Sequence, residues 1–233
     1  MLAAAPFPGN PHTPAPSEDD RVCPSAAAAI SGFDALVEAA RSCRACLAME
    51  GRRRVLSHAN GDPAARVLFL AEAPGRLGGE LTGVPLSADQ SGRRFERLLG
   101  LAGLTREEIF ITNAALCNPR DAQGRNRTPS RRELANCAGW LAATLSAINP
   151  AVVVTLGATA LAALGRLQPH GLTLRHAVGQ ALQWDGRWLY PLYHPSPRAG
   201  LSRPYAQQDE DFRRLGAWLR GCDQQLWVTG SGS

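Results

Sequence analysis

Apolar and polar residues follow one another along the chain in blocks that predict strands separated by helices. Segments 65–71 (ARVLFLA), 108–116 (EIFITNAAL) and 151–157 (AVVVTLG) are mainly apolar without alternation, which is typical of strands covered on both faces of a parallel sheet. Segment 180–194 (QALQWDGRWLYPLYH) predicts two more strands joined by an Asp-Gly turn, because that dipeptide favours a tight hairpin.

The segments between these strands carry apolar residues at the spacing of a helix. In one of them Ser130 and Glu133 form a capping-box signature for a helix that ends near Ile148. Strands alternating with helices predict a three-layer α/β/α sandwich with a central, mainly parallel sheet of about four strands. The predicted helices are 33–49, 92–103, 130–148, 158–165 and 207–220.

Polar side chains stand at the ends of three predicted strands. Glu72 directly follows the first strand, Asn113 lies near the end of the second, and His194 ends the last. In open α/β sheets, ligands bind just beyond the carboxyl ends of the strands. We therefore expect these three groups, which are far apart in sequence, to meet in one site.

Length and composition predict one folded unit. A chain of 233 residues suits a single domain, because domains cluster at about 100–200 residues. We predict a flexible N-terminal tail over 1–32, a domain over 33–222 and a C-terminal tail over 223–233. The proline-rich start lacks the charged region of a signal peptide, and no apolar run approaches the roughly 18 residues that span a membrane. These features predict a soluble, cytoplasmic monomer with no membrane partner.

The charge balance favours an anionic partner. The formal net charge is +5, and all 25 basic residues are arginines. The planar guanidinium suits phosphates and base edges, so this composition favours nucleic acid. Arginine in place of lysine also arises from genome composition, which leaves that interpretation open. Without lysine, only the amino terminus of the chain could supply an amine for Schiff-base catalysis.

Four of the six cysteines have a spacing that indicates metal ligands. Cys43 and Cys46 form a C-x-x-C pair on the first predicted helix, while Cys117 follows the second strand and Cys137 lies on the next helix. Without a signal peptide, such a set indicates a metal rather than disulfides. Zinc and iron–sulfur clusters both accept four cysteines, and the pattern alone favours neither. Unconnected core cysteines are the remaining interpretation.

Several longer motifs resemble one family of enzymes. They are CRACLAMEGRRRVLSHANGDPAARVLFLAEAPG, TGVPL, ITNAALCNPR, RNRTPSRRELANCAGWL, VVVTLGATALAALG and YHPSPR. Together and in this order they resemble the iron–sulfur uracil-DNA glycosylases of families four and five. The resemblance covers roughly residues 43–198, most of the predicted domain, and is much more specific than any one motif.

The resemblance implies a fold, an activity and a cofactor. It implies a uracil-DNA glycosylase-like domain that hydrolyses the N-glycosidic bond of uracil or a related deaminated base in DNA, as in base-excision repair. It also places Cys43, Cys46, Cys117 and Cys137 on the four ligands of a 4Fe-4S cluster. In those enzymes the cluster is structural, and here it would fix the first helix and the loop after the second strand to the body of the protein.

The sequence combines features of the two families. By resemblance, EAPG with Glu72 and ITN with Asn113 match family four, whereas the spacing through TGVPLSADQSG matches family five and places Asp89 on that family's catalytic acidic residue. Asn126 and His194 match positions that are important in both families.

One departure from both families concerns base stacking. Where they usually carry a phenylalanine that stacks on the base, the VPL motif carries Leu86. The stacking interaction would then be lost. Either another ring substitutes for it, or the pocket accepts a different or larger base.

The chemistry of base removal suggests a role for each residue. Cleavage builds positive charge on the sugar and negative charge on the leaving base, so the site needs a carboxylate and hydrogen-bond donors. Glu72 and Asp89 are competing candidates for placing the water and stabilising the sugar cation, and His194 would donate to O2 of the base. Asn113 would recognise the N3 and O4 edge of uracil, and Gly75 would let backbone amides approach the base.

Structural roles are the alternative for three of these residues. Glu72 or Asp89 could cap a following helix, and His194 before Pro195 could be a core histidine with satisfied hydrogen bonds. The match of the whole motif series favours function for His194, and the choice between the two carboxylates stays open.

Binding to DNA would require a cationic surface, because the target base must be flipped out of the duplex. Arg127, Arg198 and Ser196 are predicted DNA contacts. Other arginines cluster in or near the same predicted loops, at Arg120, Arg125 and Arg131.

Two further classes of function compete with a glycosylase. One is a non-catalytic iron–sulfur DNA-binding protein that senses damage or redox state on the same scaffold, and the other is a zinc-stabilised hydrolase of free nucleotides. Since glycosylases that also cut the strand usually work through an amine, the absence of lysine predicts a monofunctional enzyme that leaves the abasic site uncut.

Overall fold

A computed structural model describes residues 32–226, so all but the last residue of the predicted N-terminal tail lies outside the described residues. Its centre is a sheet of five strands in the order β2-β1-β3-β5-β4. Neighbouring strands are parallel except for the edge strand β4, which is antiparallel to β5. The mainly parallel sheet is therefore confirmed. Its five strands lie in the five segments predicted as strands, against the overall count of about four. The strands are β1 Val67–Ala71, β2 Ile109–Asn113, β3 Val152–Leu156, β4 Leu182–Trp184 and β5 Arg187–Leu192.

The apolar runs became strands because both of their faces are covered. Every residue of β1, β2 and β3 is buried. Leu68 and Leu70 belong to the core cluster formed with α1, α4 and α5, whereas Phe69 packs into a second cluster with α3 and α8. This alternation places helices on both sides of the sheet and makes the three layers. The helices are α1 Phe33–Arg41, α2 Gly79–Thr82, α3 Gln90–Ala102, α4 Arg131–Ile148, α5 Ala158–Leu167, α6 Leu174–Ala177, α7 Pro197–Gly200 and α8 Tyr205–Leu226.

Two local signals in the sequence are confirmed by the backbone. The Asp-Gly turn between β4 and β5 has positive φ at both positions, +50° at Asp185 and +72° at Gly186, as a type I′ hairpin turn requires. Ser130 and Glu133 form the predicted capping box at the start of α4.

The first helix is shorter than predicted. It ends at Arg41, and the hydroxyl of Ser42 donates to the carbonyl oxygen of Ala39 at 2.8 Å. A serine that bonds nearby backbone in this way competes with continuation of the helix. Cys43 and Cys46 therefore lie in an irregular segment, which a short 3-10 turn over Leu47–Met49 follows.

The C-terminal helix is longer than predicted and continues to Leu226, past the start of the predicted tail. Among residues 32–226, no helix is long and apolar enough to cross a membrane.

Candidate active site

A cavity of about 550 Å³ opens at the carboxyl ends of the parallel strands. Glu72 follows β1, Asn113 ends β2, Gly157 follows β3 and His194 lies two residues beyond β5, and all four line this cavity. Because β2 and β3 flank β1 on opposite sides, this is the crevice in which open α/β sheets bind ligands. The structure thus brings together the three strand-end residues singled out in the sequence.

Asn113 presents an unsatisfied amide to the cavity. Its side chain is only 2% exposed, and its Nδ2 has no hydrogen-bond partner within the described part of the chain. An unpaired buried donor costs roughly 1–3 kcal/mol. What distinguishes Asn113 from the other buried polar groups without a partner is that it lies at a strand end and lines the cavity with Glu72 and His194. Asn113 therefore has an unused hydrogen-bond donor at the wall of the cavity.

Glu72 is fixed by a residue that the sequence analysis did not identify. Thr159, in the first turn of α5, donates its hydroxyl to Oε2 of Glu72 at 2.5 Å. Both residues line the cavity. The signal that could have identified Thr159 is the same strand-end rule, because it lies just beyond β3.

Asp89 caps a helix and also lines the cavity, so its position is compatible with both of the roles considered from the sequence. Its Oδ1 accepts a hydrogen bond from the backbone N–H of Gly92 at 2.8 Å and so caps α3. Its Oδ2 lies against the glycine loop, where a Cβ added at Gly75 or Gly78 would be 2.6 or 2.7 Å from it. Asp89 also lines the cavity, so one oxygen stabilises the helix while the other remains near the site.

His194 is uncharged in this environment. Burial lowers its pKa from 6.5 to about 4, although the negative charge of Asp89 acts in the opposite direction. A neutral imidazole has one N–H to donate and one nitrogen to accept. At physiological pH the ring is therefore a hydrogen-bond donor without net charge.

The titration of His194 should be observable directly. We expect its ring resonances in an NMR pH titration to shift with a midpoint near 4, because the folded protein disfavours the charged ring. Between pH 6.5 and 4 the unfolded chain binds a proton that the folded chain does not, so this group removes stability as the pH falls through that range. A midpoint near 6.5 would contradict the burial of the ring.

Two asparagines hold the glycine loop to the loop before α4. Asn126 accepts hydrogen bonds at Oδ1 from the backbone N–H of Arg76 and from Nδ2 of Asn118, each at 3.0 Å. Asn118 also donates to the carbonyl oxygen of Pro74 at 2.6 Å. Asn126 was identified in the sequence, whereas Asn118 was not, although it directly follows Cys117. Together they keep two walls of the cavity in place.

Leu86 lines the cavity at the position where a stacking ring was expected, with φ at +48°. An aromatic side chain, Tyr193, lines the same cavity. Sequence analysis did not identify it, even though it precedes His194. Tyr193 thus supplies an aromatic ring to the wall of the cavity.

The predicted DNA contacts lie at the rim of the cavity, and their environments differ. Arg127 donates to both carboxylate oxygens of Glu133, at 2.5 and 2.7 Å, whereas Arg198 is exposed. Ser196 accepts the backbone N–H of Ala199 at 3.3 Å at the start of α7. Arg120 and Arg125 form ion pairs with Glu80 and Asp121, at 3.7 and 2.8 Å, and Arg131 is exposed.

Replacing Gly75 with alanine tests the contact between the glycine loop and Asp89. The new methyl group would lie 2.6 Å from Oδ2 of Asp89 and displace either the loop or the carboxylate. A misplacement of about 1 Å can cost ~10²-fold in rate, so we expect a loss of roughly that size in the single-turnover rate of the reaction that this cavity catalyses. Gly100→Ala is the control, because no atom lies within 4 Å of its added Cβ. Equal rates for Gly75→Ala and Gly100→Ala would show that the close contact is unimportant.

Four cysteines come together at a second, smaller cavity. Cys43 and Cys46 follow α1, Cys117 follows β2 and Cys137 lies on α4, and all four line this space with Arg54. Burial raises the pKa of Cys117 and Cys137 to about 12, so thiolates here need a compensating positive charge. Among the described residues, no three His, Cys, Asp or Glu side chains are placed to hold a single metal ion.

The surroundings of these cysteines fit an anionic cluster. Arg54 lines the cavity with a buried Nε that has no partner within the described residues. Asn136 donates to Sγ of Cys46 at 3.4 Å. Four cysteine ligands with nearby hydrogen-bond donors are what iron–sulfur clusters require. The donor set therefore fits such a group.

Comparison with known proteins identifies the family. Residues 58–220 match the model of the uracil DNA glycosylase superfamily. A type-4 uracil-DNA glycosylase of Thermotoga maritima is 32% identical over 160 residues, which cover 68% of this chain and 79% of that protein. The type-4 enzyme of Archaeoglobus fulgidus is 30% identical over 194 residues (80% and 93%), and the type-5 enzyme of Pyrobaculum aerophilum is 32% identical over 150 residues (59% and 64%).

This chain belongs to the uracil-DNA glycosylase superfamily. Its resemblance to both the type-4 and the type-5 enzymes confirms the mixture of features predicted from the motifs.

Proposed function

We propose that this protein is a monofunctional DNA glycosylase that removes uracil, or a related deaminated base, from DNA and leaves an abasic site for base-excision repair. The observation that carries the proposal is the buried, unpaired amide of Asn113 in one cavity with Glu72, Asp89 and His194. An amide supplies a donor and an acceptor for the edge of a uracil, and the other three groups supply the charge and the proton donor that bond cleavage needs.

The carboxylates act on the sugar. As the glycosidic bond breaks, positive charge develops on the deoxyribose, and a nearby carboxylate stabilises it and orients the attacking water. Glu72 is held by Thr159, and Asp89 keeps one oxygen against the glycine loop. Both remain candidates for this role, and each is held in a fixed orientation, which favours preorganised catalysis.

His194 acts on the leaving base. Its pKa of about 4 keeps the ring neutral at pH 7, so it donates a hydrogen bond to O2 of the base without transferring a proton first. Such a donor is most effective where water is excluded and charge develops only in the transition state.

Replacing Asn113 with alanine should weaken both rate and discrimination. Loss of buried hydrogen bonds worth roughly 1–3 kcal/mol corresponds to about a 5- to 150-fold fall in kcat/KM for uracil-containing DNA. Thr112→Val is the matched control, because Thr112 is the buried neighbour on β2 and its hydroxyl also has no partner among the described residues. If both variants excise uracil as fast as the parent, Asn113 does not recognise the base.

DNA is held by the rim of the cavity. Arg198 is exposed beside the cavity and is the leading candidate for a phosphate contact, whereas Arg127 is held in its pair with Glu133. A lost phosphate contact weakens binding at all sequences and lowers its salt dependence. Arg198→Ala is accordingly expected to bind abasic DNA less tightly at low salt than the parent does.

The cysteine cavity would hold a 4Fe-4S cluster. Cys43, Cys46, Cys117 and Cys137 are its proposed ligands, and Arg54, which lines the same cavity, would offset part of its negative charge. Through these ligands, a bound cluster would connect the segment after α1, the loop after β2 and the second turn of α4. The role of the four cysteines is structural, since they lie in a cavity other than the one that contains Asn113.

One experiment tests the substrate and the reaction class together. The protein is incubated with oligonucleotides that carry uracil, hypoxanthine or xanthine, in single and double strands, and half of each sample is then heated in alkali. We expect strand breaks only after alkali and no adduct trapped by borohydride, because the chain has no lysine. Strands that stay intact after alkali would favour the non-catalytic DNA-binding sensor, and a borohydride adduct would contradict monofunctional cleavage.

A further inference from the structure

The wall of the cavity that carries Leu86 is a strained loop. In residues 84–89, which we call the VPL loop, Leu86 and Ala88 both have positive φ, at +48° and +61°. Residues other than glycine adopt this region only at an energetic cost. Leu86 and Asp89 of this loop both line the cavity, so the strain lies where the base and sugar would bind.

An arginine behind the loop holds this conformation. Nη1 of Arg106 donates to the carbonyl oxygen of Pro85 at 3.1 Å, and Nη2 donates to that of Leu86 at 2.5 Å. The third edge of the guanidinium, Nε, donates to Glu96. The guanidinium carbon lies 5.8 Å from the centre of the Phe95 ring. Arg106 is not among the residues that line the described cavity, so its contact with the site runs through the loop.

The loop also packs directly on α3. The hydroxyl of Ser87 hydrogen-bonds to Thr82 and to the carbonyl oxygen of Val84, each at 2.8 Å. A Cβ added at Gly92 would lie 2.7 Å from backbone atoms of Ser87, so the loop has no room to move toward the helix. Arg106 adds a further restraint through the carbonyl oxygens of Pro85 and Leu86, and Nη1 of Arg93 donates to the carbonyl oxygen of Ala88 at 3.0 Å.

We propose that Arg106 is a positioning residue for base removal. Its planar fork binds two consecutive carbonyl oxygens and thereby keeps the strained VPL loop in the one conformation that presents Leu86 to the base and Asp89 to the sugar. Lysine offers a single ammonium group in place of this fork and cannot reproduce the arrangement. The expected effect of Arg106 on catalysis rests on the proposed glycosylase function. Its effect on the conformation of the loop does not.

The test compares Arg106→Lys with the parent in single-turnover uracil release and in binding to abasic DNA. A displaced loop should lower the rate by roughly 10- to 100-fold while the dissociation constant for abasic DNA changes little. Arg97→Lys is the matched control, because Arg97 pairs with Asp209 at 3.3 Å from an exposed position on α3. An Arg106→Lys protein that releases uracil at the parent rate overturns the proposal.

Ala88→Gly provides a rescue that a general loss of stability would not show. Glycine adopts positive φ without steric cost, so the loop needs less restraint, and Arg106→Lys with Ala88→Gly should recover about half of the lost rate on a logarithmic scale. A loss of rate that Ala88→Gly leaves unchanged, together with a matching fall in Tm, would assign Arg106 to general stability and overturn the proposal.

Hydrogen exchange separates this inference from the proposed function. We expect backbone amides in 84–92 to exchange at least about tenfold faster in Arg106→Lys, because a released loop opens locally. This readout needs no catalysis. Unchanged exchange contradicts the inference whatever the activity, whereas faster exchange in a protein that releases no base supports the loop restraint and contradicts the proposed function alone.

Discussion

Replacing His194 with glutamine is expected to lower the single-turnover rate of uracil release by ~10²–10³-fold, the usual effect of removing one preorganised donor. The imidazole is neutral because burial lowers its pKa to about 4, so the contribution that we propose for it is a fixed hydrogen bond to the developing charge on the base. Glutamine retains an N–H but not the position of the ring. Binding to abasic DNA should change much less, since the interaction strengthens only as the bond breaks.

His176→Gln is the control for this substitution, because His176 is exposed on α6 and does not line the cavity. It should leave the rate unchanged. If His194→Gln loses less than about fivefold, or loses binding and rate equally, His194 is not the donor to the leaving base.

Replacing Cys117 with serine should have the largest effect on the folded protein. Loss of one of four ligands would release the proposed cluster and leave the three segments that carry the cysteines without their common partner. We expect loss of the visible absorbance and of bound iron, and a Tm lower by about 10 °C or more, which corresponds to roughly 3–5 kcal/mol. Iron analysis, the visible spectrum and a thermal melt measure these changes.

Cys222→Ser is the matched control, because Cys222 lies on α8 and is not among the residues that line the cysteine cavity. It should keep iron, colour and Tm. If the Cys117→Ser protein kept the iron content of the parent, Cys117 would not be a ligand. If the parent bound zinc but no iron, the site would be a zinc site and not an iron–sulfur cluster.

The sequence predicts the fold well because its main signals are local and strong. Uninterrupted apolar runs identified β1, β2 and β3, and the Asp-Gly pair identified the hairpin of β4 and β5. The end of α1 was misplaced because a hydrogen bond from the Ser42 side chain, rather than a loss of apolar spacing, ends that helix.

The candidate site was predicted in part, for a reason that follows from the sheet. Glu72, Asn113 and His194 could be grouped because the carboxyl ends of parallel strands share one edge. Thr159 and Asn118 were missed because their importance depends on a partner far away in the chain, Glu72 and Pro74 respectively.

The backbone strain at Leu86 and the ion pair of Arg127 with Glu133 could not be predicted from the sequence either, because both depend on side-chain contacts that form only in the folded protein. No residue type near Leu86 indicates positive φ, since the conformation depends on hydrogen bonds from Arg106, about 20 residues later in the chain. Glu133 was identified as a helix cap, but its second role, holding Arg127, appears only when the two side chains are in place.

The most direct test of the account measures free uracil released from a uracil-containing oligonucleotide under single-turnover conditions, by the parent and by the Asn113→Ala and His194→Gln proteins. The account predicts that the parent releases uracil as the free base and leaves an uncut, alkali-labile strand, while both variants are at least about fivefold slower. Absence of free uracil with the parent, or undiminished release by both variants, would contradict it.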